Sequence, residues 1–559
     1  MLIKNKLVEL YDFWFQNKNI WFHSNPQDDK EISDSFLDLY LDKDKLDLST
    51  TILNKKHSLA MIILYDQIPR HLVRNKDIPY ENIQNDLQYI SNYSYQFYIK
   101  YKEQLTDYEF CFSLMPLRHL DEFDFYQFIL KETWDKLNDK LNTQESIDIY
   151  KHYLKITYLK CPLKDIFTNY SKYKLRYNQQ IIQNIFKDYN DILDKNSIFR
   201  EYDIVNNKNN NIQINTLNIN NNSKLLISIS GGVDSMVLSK LLLNQIKDKS
   251  RLVLVHINYN NRNTCNKEKS LLIKWANILN IPLYIRDIYE INRDTCMKWG
   301  LREMYETYTQ NVRYSFYQQV AQEIKVKDNN YYVLLGHNKD DCLENILTNI
   351  SKKQKYDNLY GMDMITPIKH NQQTIYLWRP MLNISKQNIY QYANHYNIPY
   401  LNDSTPSWSQ RGQIRDNVIP CLNNWNSNFI QGLIDVKKTI EKSYQLIDMI
   451  VNEYISKSKR FDITQCNELI KNYHKLIENY KNIREIKLDK LYTQTIFWKS
   501  LFNKLNVLCS HKSIEQFISQ LIQFQTKNNK NYTNIQLSKQ NTIFIIYKNN
   551  QYILLICNQ

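Results

Sequence analysis

The stretch Ser230-Gly231-Gly232-Val233-Asp234-Ser235 decides the fold of this chain, because it directly follows the apolar run Leu225–Ile229. Glycine is rare, with 7 among 559 residues, so two adjacent glycines mark an unusual turn or a backbone that lies against a ligand. The apolar residues Met236–Leu243 predict a helix that leaves the turn. A strand, a glycine turn and a helix start bring free N–H groups and a positive helix dipole to one point, which favours phosphate.

The sequence before this turn predicts a helical domain. Residues 1–200 contain no glycine, and apolar residues recur there at spacings of three and four, as in Leu59–Leu64 and Tyr95–Tyr98. Asparagine-rich tracts follow, and residues 201–223 therefore predict a linker that cannot build a core.

Residues 224–425 predict an α/β domain. Short apolar runs alternate here with helical patterns, which indicates a doubly wound parallel sheet with ligands at the carboxyl ends of its strands. Besides the run before the turn, the predicted strands are Leu252–His256, Pro282–Ile285 and Tyr331–Leu335, and the predicted helices are Lys267–Leu279 and Glu303–Ile324.

Residues 426–559 predict a smaller, mixed region with helical spacing first and a β-hairpin last, formed by Thr542–Tyr547 and Gln551–Ile556. Nineteen lysines and arginines oppose ten aspartates and glutamates between Asp435 and Gln559, so this segment carries nine of the 14 net positive charges. This concentration favours a nucleic-acid partner, whereas the abundance of Lys, Asn, Ile and Tyr by itself is typical of A+T-rich genomes.

Composition also excludes several classes of protein. The nine cysteines include no Cys-x-x-Cys pair, which argues against a zinc ribbon and a disulfide framework. No apolar run approaches 18 residues, and the first ten residues are not typical of a targeting signal. We therefore expect a cytoplasmic protein without a membrane span. The sequence leaves its oligomeric state open.

A cluster of acidic residues lies in Gly336–Glu344, after the last predicted strand of the sheet. If a helix begins at Asp340, the carboxylates of Asp340, Asp341 and Glu344 crowd one face and repel each other by about 0.2–0.5 kcal/mol per pair. Such a group indicates either a site that binds a cation or an amine, or an ordinary acidic helix start. Further on, Arg411 and Arg415 are four residues apart and would project together from a helix, where they can hold phosphate or lie in solvent.

The order of these motifs resembles the tRNA(Ile)-lysidine synthases, members of the PP-loop ATP pyrophosphatases, over about residues 223–425. Besides the turn and the acidic cluster, further residues in the same order carry the resemblance. They are His256-Ile257-Asn258, Arg262, Glu306, Arg313-Tyr314, Gly336-His337, Arg379–Leu382, Asp403, Arg411, Arg415 and Val418–Pro420. That family uses ATP to adenylate the cytidine at the wobble position of a tRNA, and free lysine then displaces AMP.

The resemblance implies a role for each group. Ser230, Gly231, Gly232, Val233, Asp234, Ser235 and His256 would bind ATP, and Asp234 would also hold Mg²⁺. Asp234, His337, Asp340, Asp341 and Glu344 would be catalytic, with the last three binding the lysine ammonium and helping its proton to leave. Arg262, Arg313, Arg411 and Arg415 would hold the tRNA.

Three departures from the family concern the nucleotide and lysine pockets. The family usually has a second histidine where Tyr259 stands, an Ala-Arg pair at Thr309-Gln310, and a threonine at Asn345. Other readings are a PP-loop tRNA sulfur-transferase, whose cluster-dependent kind needs cysteines that this chain lacks, a small-molecule amidotransferase-type ligase, and a non-catalytic scaffold.

The N-terminal region resembles a bacterial helical family of unknown function. Its motifs are Tyr11–Phe15, Trp21-Phe22, Leu64–Arg70 and Met115–His119. Asp66, Gln67, Arg70 and His119 either line a pocket or link helices through buried polar contacts, and no activity follows from the resemblance.

Overall fold

The structure is a computed structural model, and its contacts divide the chain into two compact units. Unit 1 comprises Met1–Gly336 and Met364–Asp403, and unit 2 comprises His337–Asp363 and Ser404–Gln559. The residues that the structure describes are 2–21, 25–46, 54–139, 143–163, 167–170, 179–194, 212, 214, 223–326, 331–353, 361–402, 407, 409–461, 482–490, 492–505, 507, 509–526, 532–538, 541–548 and 551–558. The predicted linker 201–223 lies almost wholly outside these ranges, and the bounds of the four predicted segments stay predictions.

The described part of residues 1–160 is helical, as predicted. Four of the described helices begin at side-chain caps, one of which is a full capping box between Thr106 and Glu109. The helices are Leu2–Gln16, Pro26–Leu41, Lys55–Asp66, Ile68–Asn75, Glu81–Tyr101, Asp107–Ser113, Met115–His119, Phe123–Leu137 and Gln144–Lys160, with short 3₁₀ turns at Lys18–Ile20, Lys43–Lys45 and Lys102–Gln104.

A seven-stranded sheet forms the rest of unit 1, in the order β1-β4-β3-β2-β5-β7-β6. Strands β2 to β5 and β7 are parallel, whereas β1 and β6 pair antiparallel with β4 and β7 at the two edges. The strands are β1 Thr168–Asn169, β2 Lys224–Ser228, β3 Leu252–Asn258, β4 Leu283–Asp287, β5 Tyr331–Leu334, β6 Ile365–His370 and β7 Gln373–Trp378.

Helices cover both faces of this sheet, as a doubly wound fold requires. In β2, Leu225 and Ile227 pack into one core, and Leu226 packs into the core on the opposite face. This strict alternation explains why the strands appear as continuous apolar runs in the sequence. The helices of unit 1 after residue 160 are Gln179–Asp188, Val233–Gln245, Cys265–Leu279, Arg293–Lys298, Arg302–Glu323 and Lys386–His395, with a 3₁₀ turn at Lys249–Arg251.

The N-terminal region and the sheet share structure in two places. The strand β1, from the region predicted to be all-helical, joins the sheet beside β4. The helix Arg302–Glu323 packs Phe316 and Val320 against the sheet, while Tyr305 and Tyr308 near its other end belong to the core of the N-terminal helices. Both ends of this helix are therefore anchored in hydrophobic cores.

Unit 2 combines helices with a second sheet. The predicted hairpin is confirmed, because β11 pairs with β12 from Asn541–Asn558 to Lys548–Gln551. The hairpin belongs to a larger antiparallel sheet, in the order β10-β11-β12-β9-β8. The strands are β8 Lys459–Phe461, β9 Asn482–Leu488, β10 Tyr532–Gln536, β11 Asn541–Lys548 and β12 Gln551–Asn558, and the helices are Lys339–Ser351, Gln410–Gln413, Ile419–Trp425, Phe429–Ser456, Thr495–Lys504 and His511–Thr526.

Among the helices that the structure describes, none combines the length and the apolar character that crossing a bilayer needs.

Candidate active site

The glycine turn lies between β2 and the helix Val233–Gln245. Gly231 has a φ of 86°, in the left-handed region that favours glycine, and Gly232 is the N-cap of the helix. The carbonyl of Gly231 accepts a hydrogen bond of 2.9 Å from the backbone N–H of Leu401. A side chain at Gly231 would overlap the side chain of Leu401. The position therefore requires glycine for its backbone angle and for its space.

The backbone amides of the turn are available to a ligand. Within the described residues, the N–H groups of Gly231, Gly232, Val233 and Ser235 have no hydrogen-bond acceptor. The hydroxyl of Ser235 stiffens the turn, since it accepts a bond of 3.1 Å from the N–H of Ser230 and donates one of 3.0 Å to the carbonyl of Gly232. Unpaired amides at a helix N-terminus attract an anion, because the helix dipole adds to their partial charge.

The topology of the sheet places this turn where doubly wound proteins bind ligands. The chain runs from β2 through β3 to β4 on one side and returns to β5 on the other side of β2. The connections therefore diverge between β2 and β5, and a crevice forms outside the carboxyl ends of these two strands.

Gly336 contacts the turn from the segment that follows β5. A Cβ atom added to Gly336 would lie 3.0 Å from the backbone nitrogen of Ser235 and 3.1 Å from the carbonyl carbon of Asp234. Only a residue without a side chain allows this approach. Gly336 thus keeps the amide of Ser235 uncovered.

Asp234, the acidic residue of the turn, forms an ion pair with Lys386, whose Nζ atom lies 2.6 Å from Oδ2. Lys386 is not among the site residues predicted from the sequence. One signal was present, because Lys386 is the first residue of a helix, where the helix dipole disfavours a cation. The ion pair places a positive side chain at the turn, and this side chain comes from near the C-terminal end of the predicted α/β domain.

The residues at the turn fit Mg²⁺ only together with phosphate ligands. Within the described residues, no group of three His, Cys, Asp or Glu side chains is arranged to hold a metal ion. Mg²⁺ is usually bound through one or two carboxylates and the phosphates of a substrate. Asp234 would be that carboxylate, shared with Lys386.

His256 supports the base of the turn. Its Nδ1 atom donates to the carbonyl of Ile229 over 2.8 Å, which fixes the proton on Nδ1. Burial lowers the pKa of His256, so the ring is neutral at physiological pH. Its contact positions the residue before the turn, and direct binding of ATP by His256 stays a prediction.

The predicted tRNA-binding arginines of unit 1 already have protein partners. Arg262 pairs with Glu268 at 2.9 Å, and Arg313 donates to the hydroxyl of Tyr259 over 2.7 Å from Nη2 and 3.2 Å from Nε. Tyr259 stands where the resembling family usually has histidine. Its hydroxyl gives the half-buried Arg313 an acceptor, so this departure leaves Arg313 hydrogen-bonded.

The acidic cluster is the start of a helix in unit 2. Asn338 and Asp341 form a capping box, in which the N–H of Asn338 donates to Oδ2 of Asp341 over 3.0 Å. Arg411 pairs with Asp341, and its Nε atom lies 2.6 Å from Oε2 of Glu344. Asp341 therefore caps the helix and pairs with Arg411, and binding of a substrate amine by the cluster stays a prediction.

Glu344 is the buried member of the cluster, with a side chain that is 6% exposed. Burial raises its pKa, although the guanidinium of Arg411 acts in the opposite direction. Its second oxygen, Oε1, has no partner in the described part of the chain. A carboxylate with a raised pKa and a free oxygen is suited to accept a proton.

Replacement of Arg411 by Gln is expected to destabilise unit 2 by about 1–3 kcal/mol at pH 8, because Glu344 then loses its charged partner. The pKa of Glu344 lies above its ordinary value in the folded chain and would rise further. A raised carboxyl pKa means that the folded state binds the proton more tightly, so the loss should shrink as the pH falls towards 5. Urea unfolding at the two pH values measures this.

Glu344→Gln in the Arg411→Gln background is the matched control, since it removes the unpaired charge. It should restore most of the lost stability at pH 8. Equal losses at both pH values would contradict the assigned origin of the effect.

The second predicted arginine also acts on the acidic cluster. Arg415 lies in the π-helical segment Ile414–Val418, pairs with Asp416 at 2.9 Å and opposes the effect of burial on the pKa of Glu344. Asp340 lies in the first turn of the helix Lys339–Ser351, and His337 is half-buried in the preceding segment. Asp403 lies outside the described residues. The catalytic and tRNA-binding roles of all these residues stay predictions.

The fold and the turn define a nucleotide-binding PP-loop domain, and family comparison agrees. Residues 204–422 match the PP-loop domain family, and residues 10–203 match a family described as a bacterial protein of unknown function, DUF924. The chain therefore carries a PP-loop domain behind a DUF924 region.

Among curated proteins, the chain is similar to tRNA(Ile)-lysidine synthases. The protein of Mycoplasma mycoides subsp. mycoides is 29% identical over 334 residues, which are 58% of this chain and 72% of that protein. That of Malacoplasma penetrans is 26% identical over 60% of this chain and 99% of its own length, and that of Staphylococcus aureus strain MRSA252 is 25% identical over 56% and 69%. Among solved structures, the U34-tRNA thiolase NcsA from Methanococcus maripaludis is 16% identical, covering 47% of this chain and 79% of that chain with a TM-score of 0.31.

Proposed function

We propose that this protein is a cytoplasmic tRNA-modifying ligase of the tRNA(Ile)-lysidine synthase type, which uses ATP to join lysine to a wobble cytidine. The observation that carries the proposal is the turn itself, with four unpaired amides between β2 and a helix start. The similarity to proteins named tRNA(Ile)-lysidine synthase supports the substrate class.

In the first step, the C2 oxygen of the cytidine attacks the α-phosphorus of ATP, and the bond to pyrophosphate breaks. The amides of Gly231, Gly232, Val233 and Ser235 would stabilise the leaving pyrophosphate, because they direct donors at developing negative charge without reorganisation. Mg²⁺, held by Asp234 and the phosphates, would neutralise part of that charge.

In the second step, the ε-amine of lysine attacks C2, and the bond between C2 and the oxygen of AMP breaks. Only the neutral amine is a nucleophile, so a base must take its proton. Glu344 is our candidate, because its pKa is raised by burial and its Oε1 atom has no partner among the described residues. Asp340 and Asp341 would bind the ammonium form before the transfer.

The basic C-terminal region would contribute to tRNA binding. It carries nine of the 14 net positive charges, and neutralising phosphates with lysine and arginine releases counterions. Binding of tRNA should therefore weaken steeply with salt concentration.

The purified full chain tests the proposal in an assay of pyrophosphate release. Repeated turnover is expected when ATP, tRNA and lysine are all present, and only background release when tRNA is omitted. Without lysine, release should stop at no more than about one pyrophosphate per chain, because the adenylated tRNA is not consumed. The matched control is the same tRNA with uridine in place of the wobble cytidine, which should give only background.

Mass analysis of the tRNA nucleosides after reaction with isotope-labelled lysine gives the second readout. A cytidine that gains the mass of lysine minus one water supports the proposal. Full release without lysine, with no labelled nucleoside, would point to another modification, and no release under any condition would contradict an enzymatic role.

A further inference from the structure

The helical region contains a buried arginine without an anionic partner. Arg118, in the helix Met115–His119, is 6% exposed, and its Nε and Nη1 atoms have no hydrogen-bond partner. Within the described residues, no carboxylate lies within 4.0 Å of its guanidinium. An arginine keeps its charge at any physiological pH, so the cation is buried without compensation.

The other two arginines in the described part of residues 1–200 follow the usual pattern. Arg74 pairs with Asp29 at 2.7 Å, and Arg70 pairs with Asp66 at 3.0 Å. Within the described residues, the contact of the Arg118 guanidinium is with the ring of Tyr153, whose centroid lies 5.7 Å from Cζ. A cation–π contact is weaker than the cost of burying an unpaired charge.

The buried carboxylate of Asp66 already has three hydrogen-bond partners. Oδ1 of Asp66 contacts Nη2 of Arg70 at 3.0 Å and Nδ1 of His119 at 2.8 Å, and its Oδ2 accepts from Gln67 at 2.5 Å. Burial raises the pKa of Asp66, but these cationic and hydrogen-bonded neighbours outweigh it and hold the pKa below its ordinary value. Asp66 is therefore ionised, and its negative charge is paired with the positive charge of Arg70.

The same helical region contains two further unused donors. The Nε atom of Arg70 and the hydroxyl of Tyr153 are buried without partners. Lys160 belongs to the same neighbourhood, because its pKa is lowered by burial and then by Arg118 and Arg70. We call these four residues, Arg70, Arg118, Tyr153 and Lys160, the Arg118 cluster.

The charge of the cluster indicates the kind of ligand. Asp66 is paired with Arg70, which leaves the charge of the buried Arg118 uncompensated, and the exposed Lys160 adds a further cation to this neighbourhood. His119 adds no charge at neutral pH, because burial lowers its pKa more than Asp66 raises it. A phosphate group near pH 7 carries between one and two negative charges and several strong acceptors.

We propose that the Arg118 cluster binds one phosphate group, either as the free ion or on a small molecule. The site lies in the DUF924 region and is independent of the PP-loop and of the proposed ligase reaction. Arg118 provides the buried charge, and the Tyr153 hydroxyl and Arg70 Nε provide further donors.

Isothermal titration of the full chain with inorganic phosphate tests the proposal. A non-hydrolysable ATP analogue is present at saturation in every sample, so that the PP-loop is occupied. Wild type should bind one phosphate per chain, and Arg118→Met should bind at least about tenfold more weakly, as expected for losing a charged hydrogen bond. Lys131→Met, which removes one exposed charge from the same region, should bind as wild type does.

Tyr153→Phe keeps the test decisive if Arg118→Met fails to fold. The change removes an unpartnered buried hydroxyl, so the melting temperature in chloride should stay the same while phosphate binding weakens. Absence of phosphate binding to wild type, or equal binding by the Arg118→Met and wild-type chains, would overturn the proposal.

Titrations with glycerol 3-phosphate and with malonate identify the kind of molecule that supplies the phosphate group. Tighter binding of glycerol 3-phosphate than of inorganic phosphate would support the site and assign it to a phosphomonoester, whereas tighter inorganic phosphate would assign it to the free ion. Malonate that binds more tightly than both would overturn the assignment to phosphate.

Discussion

Asp234→Asn is expected to lower the rate of pyrophosphate release by at least about a hundredfold, with the fold intact. The carboxylate of Asp234 lies at the glycine turn and holds the Nζ atom of Lys386 at 2.6 Å. The amide of asparagine keeps the shape of the side chain but can neither hold the lysine as an ion pair nor ligate Mg²⁺ with a full charge. Release is measured with ATP, tRNA and lysine at saturation, and folding by the melting temperature.

Asp294→Asn is the matched control, because Asp294 is an exposed aspartate in the first turn of another helix of unit 1. It should leave release unchanged within about twofold, as is usual for surface substitutions. Binding of tRNA, measured on filters, should stay the same in both variants. A chain with Asp234→Asn that retained turnover would remove this residue from the mechanism.

Strands β2 to β5 of unit 1 could be predicted because each contains a run of apolar residues, whereas β6 and β7, with Pro, Lys, Gln and Thr among their residues, were missed. β3 is buried on both faces, and Leu252 to Val255 alternate between two cores, so no polar residue interrupts the pattern there. The helix after the turn was also predictable, although it begins at Val233, earlier than the apolar pattern from Met236 indicates. Its first turn contains Asp234 and Ser235, which are polar because they belong to the site.

The neighbours of the turn could not be predicted, because they come from distant parts of the chain. Lys386 is 152 residues from Asp234, and Leu401 contacts the backbone of Gly231 through a main-chain bond that no side-chain pattern encodes. β1 was missed for another reason, since it has two exposed residues and therefore no alternation. Short edge strands are defined by their partner rather than by their own sequence.

The second sheet also shows that pairing between distant segments cannot be predicted from a local sequence pattern. The β11–β12 hairpin is local, and two β-rich runs around a turn predict it. β9 pairs with β12 across more than sixty residues of sequence, from Asn482–Asn558 to Leu488–Tyr552, so its assignment depends on a non-local contact. The hairpin could therefore be predicted from the sequence, whereas the larger sheet that contains it could not.

Gly336→Ala is expected to lower ATP-dependent pyrophosphate release by about 10²- to 10³-fold, comparable to the loss of one preorganised donor. The new methyl group would lie 3.0 Å from the backbone nitrogen of Ser235, so the turn must shift or its amide is covered. Either outcome disturbs the row of N–H groups that would stabilise pyrophosphate. Because the displaced atoms are backbone, overpacking should also cost about 1–3 kcal/mol of stability.

Gly432→Ala provides the control, since a Cβ atom at Gly432 meets nothing within 4 Å and the residue lies inside the helix Phe429–Ser456. Alanine is favoured over glycine in a helix by about 1 kcal/mol, so this variant should be at least as stable as wild type and fully active. The measurement separates kcat from the KM for ATP in both variants. If the chain with Gly336→Ala turned over at the wild-type rate, the amide of Ser235 would not contact the leaving pyrophosphate, and the close approach of Gly336 would be a packing feature alone.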